Sequence, residues 1–319
     1  MKIVFTDYYY PNIEQEIAVL SQMGNVEIVD CSRLLKKRIP SEKELMEYVS
    51  DADAVIVQFA KITEKVISSM KKCKIIARYA IGVDTIDVAA AHRAGIIVSN
   101  VPDYCIEEVS DTALAHMYNC TRKITFSRDL MMAGGFSFEH IAPMRRFADL
   151  DIGLLGFGNI ARCLAKKIRP LCHRIMAYDP YISDFSEYSY VEFVSLEKIL
   201  GESDILSIHV PLNKMTLHML SDDQFSIMKD GISIINTARG EVIDEDALLR
   251  ALDQGKVSCC GLDVLQTEEF RNNSLSRHPR VAVTPHIGWN SAKSIKELQR
   301  KTALNVYNML TKGSPLYKV

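Results

Sequence analysis

Short apolar runs alternate along this chain with longer segments of helical period. Strand-like runs lie at 2–6, 54–59, 74–79, 96–100, 151–158, 174–179, 205–210, 232–237, 259–264 and 281–285. Segments of helical period fill most of the intervals, at 11–23, 42–50, 62–72, 87–94, 159–170, 196–200 and 244–255. This alternation predicts an α/β protein with doubly wound parallel sheets, whose helices cover both faces. Runs such as ISII are apolar at every position, as expected for strands buried on both sides.

Two longer helical segments interrupt the alternation, at 107–124 and 291–313. The second begins at Ser291 and ends at Gly313, residue types that favour the two ends of a helix. Such helices are natural crossovers between two sheets, so the last one is expected to return to the first domain.

The chain length of 319 residues suggests about two domains. We expect a discontinuous first domain formed by residues 1–100 and 290–319, with a second domain at 101–289 inserted into it. Ligands of open α/β sheets bind beyond the carboxyl ends of the strands, so we expect a ligand site in the cleft between the domains.

Charge and composition exclude several classes of partner. The net charge of −2 lacks the excess of positive charge that is typical of proteins that bind nucleic acid or an anionic membrane. The basic runs at 34–38 and 70–74 are interpreted as solvated surface. No apolar run has the length of a membrane span, and the first residues lack the apolar core of a signal peptide. The eight cysteines show neither Cys-x-x-Cys nor zinc-site spacing, which predicts a reduced, cytoplasmic protein with no metal site.

A glycine-rich loop gives the first functional signal. Gly156, Gly158 and Ala161 stand between a strand and a helix, where they allow a tight turn, close approach of a pyrophosphate and close helix–strand packing. Asp179 ends the next strand, where a carboxylate can accept hydrogen bonds from ribose hydroxyls and repel a 2′-phosphate. The spacing predicts NAD as the cofactor. The alternative is a tight turn between strand and helix followed by an acidic cap.

Three further groups follow strand ends in the same half of the chain. Arg239 can hold a carboxylate through two hydrogen bonds, and His286 can give or take a proton near neutral pH. Glu268, which follows Asp263, can fix the imidazole tautomer. Taken singly, Arg239 could belong to a buried ion pair, and His286 could be a structural histidine at a strand end whose hydrogen bonds are all made within the protein. Together they indicate hydride transfer at a 2-oxo acid.

The motifs resemble those of one known family, the D-isomer-specific 2-hydroxyacid dehydrogenases. The resemblance covers nearly the whole chain through the glycine loop and RYAIGVDTID, NVPDYCIEEVSDTALAH, AYDP, IHVPL, NTARG, GLDV and TPHIGW. It implies a flavodoxin-like substrate domain around an inserted Rossmann domain, and a homodimer built through the cofactor domains. Some details, including EEVSDTALAH, are similar to the branch that contains the C-terminal-binding protein corepressors.

The resemblance also implies roles for individual residues. The catalytic residues are Arg239, Glu268 and His286. The cofactor-binding residues are Thr112, Gly156, Gly158, Asn159, Ile160, Asp179, His209, Pro211, Thr216, Thr237, Ala238, Asp263 and Gly288. The substrate-binding residues are Arg78, Ile81, Gly82 and Trp289, although the single tryptophan could instead be a packing residue at a domain interface.

Three features depart from the family pattern. Ala80 stands where glycine is usual before the carboxylate-binding turn. Glu269 replaces the usual proline, so two adjacent acidic residues compete for His286, and the spacing from Asp263 favours Glu268. The sequence stops after the returning helix, from which we expect no amino-acid feedback site.

We therefore expect an NAD-dependent oxidoreductase that interconverts a small 2-oxo acid and its D-2-hydroxy acid. The alternative is an NAD(H)-sensing, corepressor-like binding module with weak or no turnover. Oxidation of formate or phosphite is a third option, and Glu268 argues against formate.

Overall fold

The computed structural model describes residues 1–135, 144–182, 186–267 and 273–319. They group into two compact units, one formed by Met1–Tyr104 with Ser291–Val319 and the other by Cys105–Asn290. Each unit contains its own parallel sheet with helices between the strands.

The described residues contain the following regular elements, numbered in chain order. The strands are β1 Lys2–Phe5, β2 Glu27–Asp30, β3 Ala54–Val57, β4 Ile75–Arg78, β5 Ile97–Ser99, β6 Asp151–Leu155, β7 Arg174–Tyr178, β8 Glu192–Phe193, β9 Ile205–Ile208, β10 Ile232–Asn236, β11 Val257–Leu262 and β12 Val281–Val283. The helices are α1 Glu14–Leu20, α2 Cys31–Leu35, α3 Glu42–Val49, α4 Glu64–Ser69, α5 Val88–Arg93, α6 Ile106–Arg122, α7 Ile124–Met132, α8 Asn159–Ile168, α9 Leu196–Glu202, α10 Asp222–Ile227, α11 Glu245–Asp253, α12 Ser274–Arg277 and α13 Ala292–Lys312.

The sheet of the first unit has the order β2-β1-β3-β4-β5, and all its strands are parallel. This is the flavodoxin-like order, whose direction reverses between β1 and β3. The three central strands are fully buried apart from their ends, because helices cover both faces. Helix α13 packs on α1 and β4. As predicted, Ser291 caps its first turn and Gly313 ends it at φ 81°.

The sheet of the second unit has the order β12-β11-β10-β9-β6-β7-β8, again with every pair parallel. This is the doubly wound Rossmann order with a seventh strand added at one edge, and it reverses between β6 and β9. The predicted fold class, with a Rossmann and a flavodoxin-like sheet, is confirmed. The carboxyl ends of β6, β9, β10, β11 and β12 share one edge.

Several elements escaped the sequence analysis. Strand β2 lies at a sheet edge and is only half-buried, with Glu27 exposed, so no clear apolar run marks it. Strand β8 has two residues, and α2, α10 and α12 are short. Helix α7 directly follows α6, from which a left-handed Lys123 separates it. The predicted strands 54–59 and 151–158 end at residues 57 and 155, because the apolar pattern continues into the loops at their carboxyl ends.

All eight cysteines are free thiols. Over the described ranges, no helix is both long enough and apolar enough to span a membrane.

Candidate active site

The glycine loop of the second unit joins β6 to α8. Gly156 has φ 88°, and a Cβ there would lie 2.9 Å from the carbonyl carbon of His209, so only glycine lets the loop cross the neighbouring strand end. A Cβ at Gly158 would meet no atom within 4 Å, so the space in front of it is open. Asn159 and Ile160 follow as the first residues of α8, where backbone N–H groups have no intrahelical acceptor. This arrangement suits a phosphate group.

Asp179 is tied to the same loop. Its Oδ2 accepts a hydrogen bond from the Phe157 N–H at 2.9 Å, and its Oδ1 accepts one from the Tyr181 N–H at 3.0 Å. Each oxygen of an ionised carboxylate has further acceptor capacity, which ribose hydroxyls can use. The carboxylate therefore occupies a fixed position beside the glycine loop, one strand away from β6.

The loop after β9 carries three predicted cofactor residues. Burial lowers the pKa of His209 to about 4, so its imidazole is neutral at pH 7, and its Nε2 lies 2.9 Å from the Ser207 Oγ. The Thr216 hydroxyl donates to the Pro211 carbonyl oxygen at 2.5 Å and accepts from the Asn213 N–H at 2.8 Å. Thr216 thus holds the loop in shape.

Thr237 and Ala238 follow β10 at the same edge. The Thr237 hydroxyl is buried, and no atom of the described residues forms a hydrogen bond with it. Buried hydroxyls almost always have partners, so such a group points to a polar ligand. The Ala238 N–H donates to the Asn236 side chain at 2.9 Å, which fixes the chain next to this hydroxyl.

Arg239 lies on the turn that follows. The Asn236 amide donates to the Arg239 carbonyl oxygen at 2.8 Å, and an Nη1 of Arg239 donates to the Ala238 carbonyl oxygen at 2.7 Å. Gly240 then begins a 3-10 turn, Gly240–Val242. Its φ is not positive; instead, a Cβ there would lie 2.0 Å from the Leu265 carbonyl carbon. Glycine is required by close packing against the chain after β11.

Asp263 connects this edge to the loop after β12. Its side chain is buried, with 2% of the residue exposed. Oδ1 accepts from the Thr284 hydroxyl at 2.5 Å and from the Ile287 N–H at 3.0 Å, and Oδ2 accepts from the Gly288 N–H at 2.8 Å. Three hydrogen bonds from three residues of one loop therefore converge on a single carboxylate.

His286 lies within the loop that Asp263 holds. It adopts the left-handed conformation at φ 53°, which is uncommon for a residue with a side chain. Its N–H donates to the Asp263 carbonyl oxygen at 2.9 Å, and the Trp289 indole Nε1–H donates to its carbonyl oxygen at 2.8 Å. Backbone strain of this kind persists only where the surroundings enforce it, often at a functional site.

Helix α6 also contributes residues to this part of the site, and Thr112 is the one among them that the sequence analysis predicted. The Thr112 Cγ2 would lie 3.5 Å from a Cβ placed at Gly288. His116 Nε2 lies 3.1 Å from the Thr284 hydroxyl, and burial lowers the pKa of His116. A Cβ at Gly261 would lie 2.5 Å from the Cβ of His116, so glycine there admits the ring. The motif TALAH contained this histidine, but its spacing gave no sign of its partner.

The predicted substrate residues other than Trp289 belong to the first unit. Arg78 ends β4 with 6% of its surface exposed, and its Nη1 lies 3.4 Å from an Asp84 oxygen. The Ile81 carbonyl oxygen accepts from the Asn100 amide at 2.6 Å, which holds the loop that contains Ala80 and Gly82. Glu268 and Glu269 lie outside the described residues.

Comparison with known proteins now adds a family. Residues 114–288 match the family described as D-isomer specific 2-hydroxyacid dehydrogenase, NAD binding domain. The chain belongs to this family. It is therefore an oxidoreductase of the NAD-dependent D-2-hydroxyacid dehydrogenases.

Two curated relatives and one solved structure illustrate the range of the family. The hydroxypyruvate reductase of Thermotoga maritima is 36% identical over 274 residues, which cover 84% of this chain and 87% of that protein. The D-3-phosphoglycerate dehydrogenase of Methanocaldococcus jannaschii is 33% identical over 97% of this chain, which spans 60% of that protein's length. The D-lactate dehydrogenase of Aquifex aeolicus, solved with NAD and lactic acid, has a TM-score of 0.82 and 27% identity, with 99% of each chain covered.

The second unit fits the NAD that this family binds. Three features lie along one edge of the sheet, on either side of the reversal between β6 and β9. They are the open space at Gly158, the fixed carboxylate of Asp179 and the buried hydroxyl of Thr237. These are respectively a place for phosphate, an acceptor for ribose and an unused donor.

Proposed function

We propose that the enzyme interconverts a small 2-oxo acid and its D-2-hydroxy acid, with His286 as the proton donor and acceptor. The observation that carries this proposal is the enforced backbone of His286. A buried carboxylate, a tryptophan and the end of β11 together hold a histidine in a conformation that it would not adopt by preference. These contacts fix the position of the residue that carries the imidazole, and proton transfer to a substrate requires such positioning.

The roles divide by chemistry. Arg239 binds the substrate carboxylate through two parallel hydrogen bonds, and its fixed charge polarises the adjacent carbonyl. NADH, when bound along the edge formed by the glycine loop, Asp179 and Thr237, would supply the hydride for the carbonyl carbon. His286 donates its proton to the carbonyl oxygen during reduction and takes the hydroxyl proton during oxidation, so reduction needs the protonated imidazole. The resemblance assigns Glu268 as the carboxylate that pairs with this imidazole.

Arg78, Ile81, Gly82 and Trp289 are proposed to bind substrate on the basis of the resemblance. The relatives are named for hydroxypyruvate, D-3-phosphoglycerate and D-lactate, which supports a small 2-oxo acid here. We also propose a homodimer and a cytoplasmic location. The comparisons do not favour the NAD(H)-sensing alternative, and it is not retained.

Replacement of His286 by asparagine tests the proposal. Asparagine tolerates the left-handed backbone better than alanine, so the variant removes the imidazole with little loss of loop geometry. Loss of general acid–base catalysis should lower kcat by about 10²- to 10⁴-fold, with the Kd for NADH within about twofold. Turnover of 2-oxo acids is followed by NADH absorbance, and NADH binding by calorimetry.

The chain contains a matched control. His218 also lies in the second unit at φ 50°, and it is exposed. His218→Asn makes the same change at a second left-handed position and should leave kcat unchanged. The proposal fails if His286→Asn retains more than a tenth of the wild-type kcat.

A further inference from the structure

The basic run at 34–38 contains one cation in an unusual setting. Lys37 pairs with a carboxylate of α3 at 2.6 Å. Arg38 forms no hydrogen bond or ion pair with any residue that the structure describes. Its guanidinium instead lies over two aromatic rings, 5.0 Å from the Tyr9 centroid and 5.2 Å from the Phe59 centroid. A cation held by two rings is restricted in orientation, yet it remains at the surface.

The two rings mark a specific place in the first sheet. Tyr9 follows β1 and Phe59 follows β3, and these are the neighbouring strands between which the strand order reverses. In an open α/β sheet, the loops at such a reversal diverge and leave a crevice at the carboxyl ends of the strands, where ligands bind. Arg38 therefore lies at the position in this unit where the topology favours a ligand.

The loops that carry the rings are fixed by buried polar groups. Asp7 is fully buried and accepts hydrogen bonds from the N–H groups of Gln58 at 3.3 Å, Phe59 at 2.5 Å and Ala60 at 3.2 Å. The Gln58 side chain in turn accepts from the Tyr9 N–H at 2.8 Å. The two ring-bearing loops are thus joined to each other, so the rings of Tyr9 and Phe59 form a platform under Arg38 that is fixed by contacts within the protein.

The chemistry of the platform indicates what it binds. Rings that contact the face of a guanidinium leave the N–H groups at its edge directed outwards, where they can bind a carboxylate or phosphate through two hydrogen bonds. Lys61, two residues after Phe59, is exposed and adds a second positive charge to the same loop. We infer that Arg38 binds a second anionic group at the far end of the substrate, so that the preferred substrates are 2-oxo acids with a distal carboxylate or phosphate. This inference rests on the proposed function.

The spacing of the strands sets the size of such a substrate. Ile81 and Gly82, proposed to hold the carboxylate next to the keto group, follow β4, which is the neighbour of β3. Adjacent strands lie about 4.8 Å apart, so the crevice between β1 and β3 lies about one to two strand spacings from that loop. A 2-oxo acid with a backbone of three to five carbons can span this separation.

Matched substrate pairs test the inference. Hydroxypyruvate is compared with 3-phosphohydroxypyruvate, and 2-oxovalerate with 2-oxoglutarate, so that each pair differs in the distal anionic group. In each pair, the ratio of kcat/KM for the acid with the distal anionic group to kcat/KM for the acid without it should fall by about 10- to 100-fold in Arg38→Met. The fall should come mainly through KM, because methionine keeps the contact with the rings but forms no charged hydrogen bonds. Arg38→Lys should retain part of the ratio. The pair with the larger fall identifies phosphate or carboxylate.

The neighbouring cation is the control. Lys37→Met removes the same charge one residue away and should change the ratio by less than twofold. Binding of 3-phosphoglycerate and of D-glycerate, measured by calorimetry on the NAD-loaded enzyme, gives a readout independent of turnover. Equal ratios in wild type, Arg38→Met and Lys37→Met would overturn the inference about Arg38 and leave the proposed function standing. Absence of turnover with all four acids would overturn the proposed function, and calorimetry would then decide the role of Arg38 by itself.

Discussion

Replacement of Asp263 by asparagine should open the loop that carries His286. The carboxylate receives three hydrogen bonds, one from a hydroxyl and two from backbone N–H groups on opposite oxygens. Asparagine has nearly the same shape, but one of its two terminal atoms is a donor. Whichever way the amide is oriented, its NH2 group faces the N–H of Ile287 or of Gly288.

The size of the effect follows from these contacts. A lost hydrogen bond to a charged acceptor costs about 1.5 to 3 kcal/mol, and Gly288 is buried, so its N–H cannot turn to water. The left-handed backbone of His286 stores about 1 to 3 kcal/mol, which opening of the loop would release. The released strain offsets part of the lost hydrogen bond, so we expect the free energy of unfolding to fall by no more than about 2 kcal/mol. Displacement of the imidazole by about 1 Å should lower kcat by about 100-fold.

The single tryptophan makes the loop observable. Trp289 donates to the His286 carbonyl oxygen, so its fluorescence reports directly on this segment. Asp263→Asn should shift the emission to longer wavelength and increase quenching by acrylamide under native conditions. Urea unfolding followed by circular dichroism gives the stability, and steady-state assays give kcat.

Asp204→Asn is the control for Asp263→Asn. Asp204 is also buried, at 3% exposure, and accepts from the Asp151 N–H and from Arg145, but it precedes β9 at the opposite edge of the same sheet. That variant should lose stability with unchanged tryptophan emission. The account of the loop would be refuted if Asp263→Asn had the same native emission, the same quenching and the same kcat as the wild type.

Two further predictions concern the cofactor edge. The pKa of His209 is about 4 in the folded protein, against an ordinary value of 6.5, so between these pH values the unfolded chain binds a proton that the folded chain does not. The contribution of His209 should therefore lower the free energy of unfolding by about 2 kcal/mol as the pH falls from about 7 to about 5. His209→Gln should remove this part of the pH dependence, which urea titration at each pH measures. Thr237→Val should leave the stability of the NAD-free protein unchanged or raise it by up to about 1 kcal/mol, because the hydroxyl lacks a partner, while weakening NADH binding by about 5- to 10-fold. Unaltered NADH affinity in calorimetry would show that this hydroxyl does not face the cofactor.

Local patterns were sufficient to predict most of the fold. The buried strands, the glycine loop and the ends of α13 depend on residues close together in sequence, and their signals survive in a single chain. Strand β2 has no such signal because it lies at an edge, where Glu27 is exposed. The carboxyl ends of strands were overextended because loops that shape a ligand site also carry apolar residues.

The site was less predictable because its contacts join distant segments. Asp263 could be placed after β11, but its three donors lie more than twenty residues further on. The left-handed conformation of His286 depends on those contacts, and no motif encodes it. Arg38 belongs to a run read as solvated surface, and nothing local shows that rings from two other strand ends lie beneath it.

The returning helix imposes an order on biosynthesis. Gln299 of α13 donates to the Asn12 carbonyl oxygen at 2.9 Å and to the buried carboxylate of Glu16 at 3.1 Å, across a sequence separation of more than 280 residues. A ribosome adding 5 to 20 residues per second makes Cys105–Asn290 between these partners, which takes roughly 10 to 40 s. Met1–Tyr104 leaves the ribosome before the Gln299 partner of Glu16 exists, and the uninterrupted second unit can complete its core earlier. The segment translated first is thus the last to be finished, and chaperones that bind nascent chains would meet it in that open state.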